Sequence, residues 1–251
     1  MSESGGNILD FEALRHSCSR CSVLELCLPA PLEGDDLDRL AGMLDSRSYR
    51  RGQHVYNTGE RSGALYIVRK GSLKSWITSI HGHVQILGFH LPGEIFGLDG
   101  MDAFRYQGTV EALEPSVLCR LPYDALEDIA ARIPSLHRQL LRVISREIVI
   151  EHEHVMMMSS RPALERVALF VQVLAQREAL RGRSPHLLNL SMPRADIASY
   201  LSLANETVSR MLTSLEKRGL IAIARRKLEI LNAQGLVDIS GEDPVSMRLA
   251  D

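Results

Sequence analysis

The hydrophobic rhythm of the chain changes four times, and each change predicts a different kind of structure. Residues 1–30 are polar, then rich in cysteine, and end at Pro29 and Pro31, which predicts a loop-rich cap. Between 31 and 48, Leu37, Leu40, Met43 and Leu44 keep the three-and-four spacing of one helical face. From 49 to 122 the pattern breaks into short β-rich stretches: 54–56, 64–68, 73–77 and 84–87. Ten of the 18 glycines lie between Gly52 and Gly108, with Gly71 and Gly82 at hairpin-turn positions. Short strands with glycine turns predict an antiparallel β-roll or barrel. Residues 123–160 turn helical, and Pro134 opens a long proline-free run. Within it Leu141, Ile144, Ile148, Val155 and Met158 step by 3, 4, 7 and 3, a heptad seam with one place filled by Glu151. That seam predicts a dimer helix; a helix packed on its own domain is the alternative.

Beyond 161 the pattern reads as helices followed by a hairpin. Pro162 starts a helix to about Arg181, and Pro193 starts a second, 194–200. The turn 201–204 leads into a third helix, 205–218, closed by Gly219. Two short apolar strands, 221–224 and 228–231, then flank a basic turn, Arg225-Arg226-Lys227. Helix, tight turn, helix and basic wing make a winged helix-turn-helix. The expected fold is therefore α+β: a cap (1–30), a β-roll domain (31–133), a dimerisation helix (134–160) and a winged helix-turn-helix domain (161–251).

Charge sharpens the last assignment. Net charge is −2, yet residues 194–227 hold seven Lys/Arg against three acids. A basic segment on an otherwise acidic chain is the footprint of DNA binding. No apolar run approaches a membrane span, and the first residues lack a secretory pattern, so a cytoplasmic protein without membrane contact is expected. In the cytoplasm thiols stay reduced, which favours metal ligation over disulfides.

All four cysteines then point one way. Cys18, Cys21 and Cys27 form C-x2-C-x5-C, and Cys119 lies far downstream. Together they predict one four-thiolate site, and thiolates select zinc or an iron–sulfur cluster. The five-residue gap and the lone fourth ligand are awkward for a zinc knuckle and acceptable for a cluster, whose corners are further apart.

On the third helix Glu206, Ser209, Arg210, Thr213 and Lys217 share one face, while Val208, Met211, Leu212 and Leu215 face the core. Arg210 can donate twice to guanine O6 and N7, and Glu206 can accept from cytosine N4. Lys217, Arg225 and Arg226 are placed for phosphates. An ordinary Glu206–Arg210 ion pair is compatible with this reading.

Taken in order, C-x2-C-x5-C, a roll holding Cys119, a dimer helix and Glu206-Thr207-Val208-Ser209-Arg210 resemble the FNR branch of the cyclic-AMP receptor protein superfamily of bacterial transcription regulators. The likeness runs from Cys18 to about Leu236. It implies a [4Fe–4S] cluster on Cys18, Cys21, Cys27 and Cys119, and control of a homodimer on double-stranded DNA by oxygen. It also implies TTGAT-type half-sites in inverted repeat, and contact with RNA polymerase around Ser79 to Gln85. Ser22 falls where the family tunes oxygen sensitivity. Ser202 and Ala204 depart from the glycine and the capping Ser or Thr usual in relatives. Gly93-Glu94 resembles the start of the cyclic-nucleotide cassette, but Tyr106 and Gln107 stand where that branch has its Arg and Ser/Thr. No cyclic nucleotide is therefore expected.

Other signals are weaker. Glu151-His152-Glu153-His154 looks metal-like, but consecutive helical residues do not share a face, so a solvated face is expected. Met156-Met157-Met158 reads as core and seam packing, and His81-Gly82-His83 as a hairpin tip. No Ser-His-Asp, phosphate-cradling glycine loop or carboxylate pair appears, so no enzyme is expected. A regulator with another effector or a zinc site, and an iron–sulfur redox enzyme, are the alternatives.

Overall fold

The computed structural model describes Cys18 and residues 21–241. The rest of the expected cap (1–17, 19 and 20) and the last ten residues of the chain, 242–251, lie outside the described residues.

Glycine in the left-handed region turns the chain at Gly71 (φ +89°) and Gly82 (φ +79°), where a side chain would be strained. At Gly71 there is no room either, because a Cβ would stand 2.7 Å from the Ser116 Cα. These turns join β3 (Ala64–Lys70) to β4 (Leu73–Thr78), and β4 to β5 (Val84–His90). With β1 (Asp45–Tyr49), β2 (His54–Tyr56), β6 (Ile95–Phe96), β7 (Thr109–Ala112) and β8 (Ser116–Pro122) they form two four-stranded antiparallel sheets. The orders are β1-β8-β3-β6 and β2-β7-β4-β5. The roll between them is filled with rings. Tyr56 stacks on Tyr106 with centroids 3.6 Å apart, Tyr66 stacks on Phe96 at 5.3 Å, and Tyr106 donates its hydroxyl to the Ala64 carbonyl at 2.7 Å.

The helix expected over 31–48 is shorter. It spans Gly34–Met43 (α1), and Asp45–Tyr49 is strand β1, with Ser46 opposite Cys119. Asp-Ser-Arg-Ser-Tyr carries no period-2 apolar signal. As an edge strand it is held by backbone bonds to β8, which a hydrophobic pattern does not report. Helices α2 (Tyr123–Arg132) and α3 (Pro134–Ser160) follow, with Pro134 in the first turn of α3.

The C-terminal part contains α4 (Ala163–Leu180), β9 (Leu187–Asn189), α5 (Arg194–Tyr200), α6 (Asn205–Lys217), β10 (Ile221–Ala224), β11 (Lys227–Ile230) and α7 (Ala233–Ser240). Lys227 pairs with Ala224 as part of β11, so the basic turn is only Arg225-Arg226, with Arg225 at φ +57°. Strand β9 and helix α7 were not expected. β9 is three residues long, and α7 opens on Asn232, whose side chain accepts from the Gly235 amide at 2.9 Å. The core of this part is continuous with the roll, because Ile86, Phe89, Leu91 and Leu113 join it.

Polar contacts lock the same junction. Lys74 pairs with Asp196 at 2.9 Å, Ser72 bonds Ser191 at 2.7 Å, and Ser199 Oγ accepts from the Ile86 amide at 3.0 Å. His154 does not lie on a solvated face. It is buried, donates Nε2 to the Tyr200 carbonyl at 2.7 Å and stacks on the Tyr200 ring. Buried contact with α5 outweighs the polar surroundings that its sequence neighbours suggested. Met157 is in the core and Met158 is half-buried, but Met156 is exposed.

Candidate functional site

Two sets of side chains carry the chemistry. The first is the four thiols. Successive turns fold the loop over 21–30 back on itself: the Cys21 amide donates to the Cys18 carbonyl at 2.9 Å, and the Cys27 amide to the Leu24 carbonyl at 3.0 Å. Strand pairing places Cys119 on β8, between Ser46 of β1 and Ile67 of β3. Cys18, Cys21, Cys27 and Cys119 thus line one cavity of ≈ 20 Å³, walled by apolar Val23, Leu24, Leu44 and Ile67. That space holds about one water, so a larger group needs the loop to move off the strand. Among the described residues no three His, Cys, Asp or Glu side chains converge as ligands of a single ion.

Burial pushes the Cys27 thiol well up, and the neighbouring thiols add to it. Burial likewise raises Cys18, and raises Cys119 to about 11, with Arg69 opposing in both cases. Cys18, Cys27 and Cys119 are thus favoured as neutral thiols, and a metal centre would release their protons on binding. The donor set, four soft thiols and no other metal-binding side chain in the lining, fits an iron–sulfur cluster. Arg69 was missed in the sequence. The abrupt change from the apolar run 64–68 to Arg69-Lys70 was the available signal.

The second set lies on α6 and the wing. Val208, Leu212 and Leu215 are buried and Met211 half-buried, which turns the opposite face outward. Glu206, Ser209, Arg210, Thr213 and Lys217 are all exposed, as are Arg225 and Arg226 on the wing; Thr207 is half-buried. The Glu206–Arg210 ion pair does not form. Arg210 Nη2 instead donates to Thr207 Oγ1 at 3.3 Å, so Thr207 steadies the arginine. Ser209 donates its hydroxyl to the Asn205 carbonyl at 3.0 Å, leaving its oxygen as an acceptor. Glu216 accepts from the Ile223 amide at 2.9 Å and ties the helix to the wing.

Both departures in the turn have structural consequences. Ser202 sits at φ +51°, a conformation that favours glycine. Ala204 is the N-cap of α6 and offers no side-chain bond, and Asn205 is already helical and does not replace it. Ala204→Thr is expected to stabilise the protein by about 1 kcal/mol. Calorimetry should record a rise of roughly 2–4 °C in Tm.

The expected dimer seam is uncovered in the single chain. Leu141, Ile148 and Val155 are 54%, 50% and 58% exposed. Ile144 and Met158 are half-buried and Glu151 is exposed. Val143 and Met157, on other faces of α3, are buried in the roll core and the C-terminal core respectively.

Comparison with known proteins bears on both sets. Residues 46–132 match the cyclic nucleotide-binding domain model, and 165–239 match the Crp-like helix-turn-helix domain model. The chain is 34% identical over 233 residues to the anaerobic regulatory protein of Haemophilus influenzae, covering 92% of this chain and 91% of that protein. It is 34% identical over 225 residues to the fumarate and nitrate reduction regulatory protein of Escherichia coli K12, covering 89% and 90%. The solved structure of FixK2 from Bradyrhizobium japonicum superposes with a TM-score of 0.72 at 28% identity, over 78% of this chain and 96% of that one.

Proposed function

The chain belongs to the CRP/FNR family of DNA-binding transcription regulators and is not an enzyme, and from that premise we propose that it is a cytoplasmic oxygen-responsive regulator. It holds a [4Fe–4S] cluster on Cys18, Cys21, Cys27 and Cys119 and, at low oxygen, binds an inverted TTGAT-type repeat as a homodimer. The observation that carries this reading is the meeting of all four cysteines, from a loop and a distant strand, at one apolar cavity. The names of the relatives, anaerobic and fumarate–nitrate regulators, support control by oxygen supply. The chemistry the cluster supplies is its lability to oxygen.

The chain's own residues do the rest. Arg210, steadied by Thr207, reads guanine, Glu206 accepts from cytosine, and Ser209 and Thr213 approach neighbouring bases. Lys217, Arg225 and Arg226 bind phosphate. Leu141, Ile144, Ile148, Val155 and Met158 pair across the dimer axis around Glu151. The loop over 79–85, with Ile80 96% exposed, offers RNA polymerase a contact. The stacked rings inside the roll, with Tyr106 where a phosphate-binding arginine would stand, weigh against a cyclic nucleotide effector.

Anaerobic fluorescence anisotropy on an inverted TTGAT repeat tests the reading. The protein should bind it far more tightly than random DNA. Arg210→Ala should cost about 1–3 kcal/mol per half-site and relax preference at the guanine. Arg226→Ala should weaken all sequences alike and lower the salt slope by about one. Equal loss on specific and random DNA for Arg210→Ala contradicts the assignment.

A further inference from the structure

The Pro92-Gly93-Glu94 turn between β5 and β6 touches the cysteine loop and the C-terminal part at once. On one side Gly93 lies against Leu26, the neighbour of Cys27. A Cβ on Gly93 would stand 2.9 Å from the Leu26 Cβ, and its φ of +91° excludes most side chains in any case. The Gly93 amide is pinned to the Val68 carbonyl at 2.8 Å, so the turn has little freedom of its own. On the other side Glu94 reaches α4. Arg177 grips it with two prongs, Nε to Oε1 at 2.8 Å and Nη2 to Oε2, and Arg181 pairs with Oε1. The same two arginines also donate to the carbonyls of Phe89 and Pro92, the latter at 2.6 Å.

Burial pushes the Glu94 carboxyl up, but the two guanidiniums outweigh it and hold it at about 2. Glu147 of α3 faces this group, and burial, with Glu94 adding, lifts its carboxyl to about 7. The roll, the expected dimer helix and α4, the first helix of the C-terminal part, therefore surround this carboxylate, and the cysteine loop touches the same turn one residue earlier, at Gly93.

A half-buried two-pronged carboxylate–guanidinium contact fixes orientation as well as distance. Orientation matters here, because two recognition helices read paired half-sites only when they lie one DNA turn apart. We propose that the Pro92-Gly93-Glu94 turn is the joint by which the cysteine loop positions the helix-turn-helix unit, so that Glu94 and Arg177 determine which half-site spacing the dimer accepts. This rests on the DNA-binding homodimer proposed above. Glu94 and Arg177 are positioning residues that touch neither DNA nor a thiol.

The test uses full-length protein prepared without oxygen and a series of inverted TTGAT repeats that differ only in spacer length. Wild type should show one sharp optimum. Glu94→Gln should flatten the profile and weaken the best site roughly tenfold, by lowering the effective concentration of the second half-site. Its iron and sulfide content, sedimentation and affinity for a single half-site should match wild type. Arg177→Lys keeps the charge but loses the second prong and should flatten the profile less. It also serves if Glu94→Gln does not fold. Ser199→Ala, which frees the Ile86 amide on the same interface, should act in the same direction. An unchanged spacing profile in Glu94→Gln and Arg177→Lys overturns the proposal, as does loss of iron or of the dimer in both. Failure of wild type to prefer any repeat would instead remove the DNA-binding reading beneath it.

Discussion

Protein made and purified without oxygen should be brown and carry about four irons and four sulfides per chain. Replacing any one of Cys18, Cys21, Cys27 or Cys119 with Ser should abolish the cluster, because three thiolates leave one iron open. The geometry makes the four equivalent in this respect. Cys119 is separated from the others by most of the roll, yet β8 places it on the same cavity wall. Cys119→Ser should therefore be as damaging as Cys21→Ser, although only Cys21 belongs to the C-x2-C-x5-C run. The loss should extend to DNA binding, lowering operator affinity by the avidity of a second half-site, of order 10²–10⁴. Metal analysis with acid-labile sulfide reads the first effect and anisotropy the second. One zinc per chain without sulfide would contradict the assignment.

The second large effect lies on α3. Leu141, Ile148 and Val155 form an exposed apolar stripe that water leaves unsatisfied, and a second copy of the same helix would cover it. Glu151 interrupts it. In a parallel pair its two carboxylates meet near the axis, where like charges in a partly desolvated seam repel. On the proposed function, this repulsion weakens the dimer enough to make it depend on the state of the cysteine site. Glu151→Ala should remove the repulsion and give a dimer that binds the operator in air. Ile148→Glu should add a second pair of carboxylates one turn earlier and give a monomer even with the cluster present. Analytical ultracentrifugation of both variants, with and without oxygen, distinguishes these outcomes. A Glu151→Ala protein that stays monomeric in air contradicts either the seam or the switch.

Much of this was legible in the sequence, for identifiable reasons. Helix α5 follows Pro193 and α6 ends at Gly219 (φ +70°), so proline and glycine marked both boundaries. Gly71 and Gly82 marked the hairpins in the same way. The buried side of α6 was legible because Val208, Leu212 and Leu215 recur every three or four residues. What escaped was held by contacts distant in sequence. Strand β1 is polar and exists because β8 accepts it. His154 sits among charged neighbours and is buried only because Tyr200 packs on it, 46 residues away. The Glu94–Arg177–Arg181 group joins residues more than 80 positions apart, and no local pattern announces such a meeting. Of the cysteine site, the grouping of the four thiols at one place was legible. Arg69 at its wall, and the apolar lining that raises the thiols, were not.

The most direct test follows operator binding and oligomeric state in one sample as air is admitted. Cluster-loaded protein on a fluorescent inverted repeat is monitored by anisotropy, with iron content and sedimentation measured on aliquots. The account predicts a dimer on DNA before air, then loss of iron, dissociation to monomer and release of the operator in the same time course. A protein that loses its iron yet remains a dimer on the operator contradicts it.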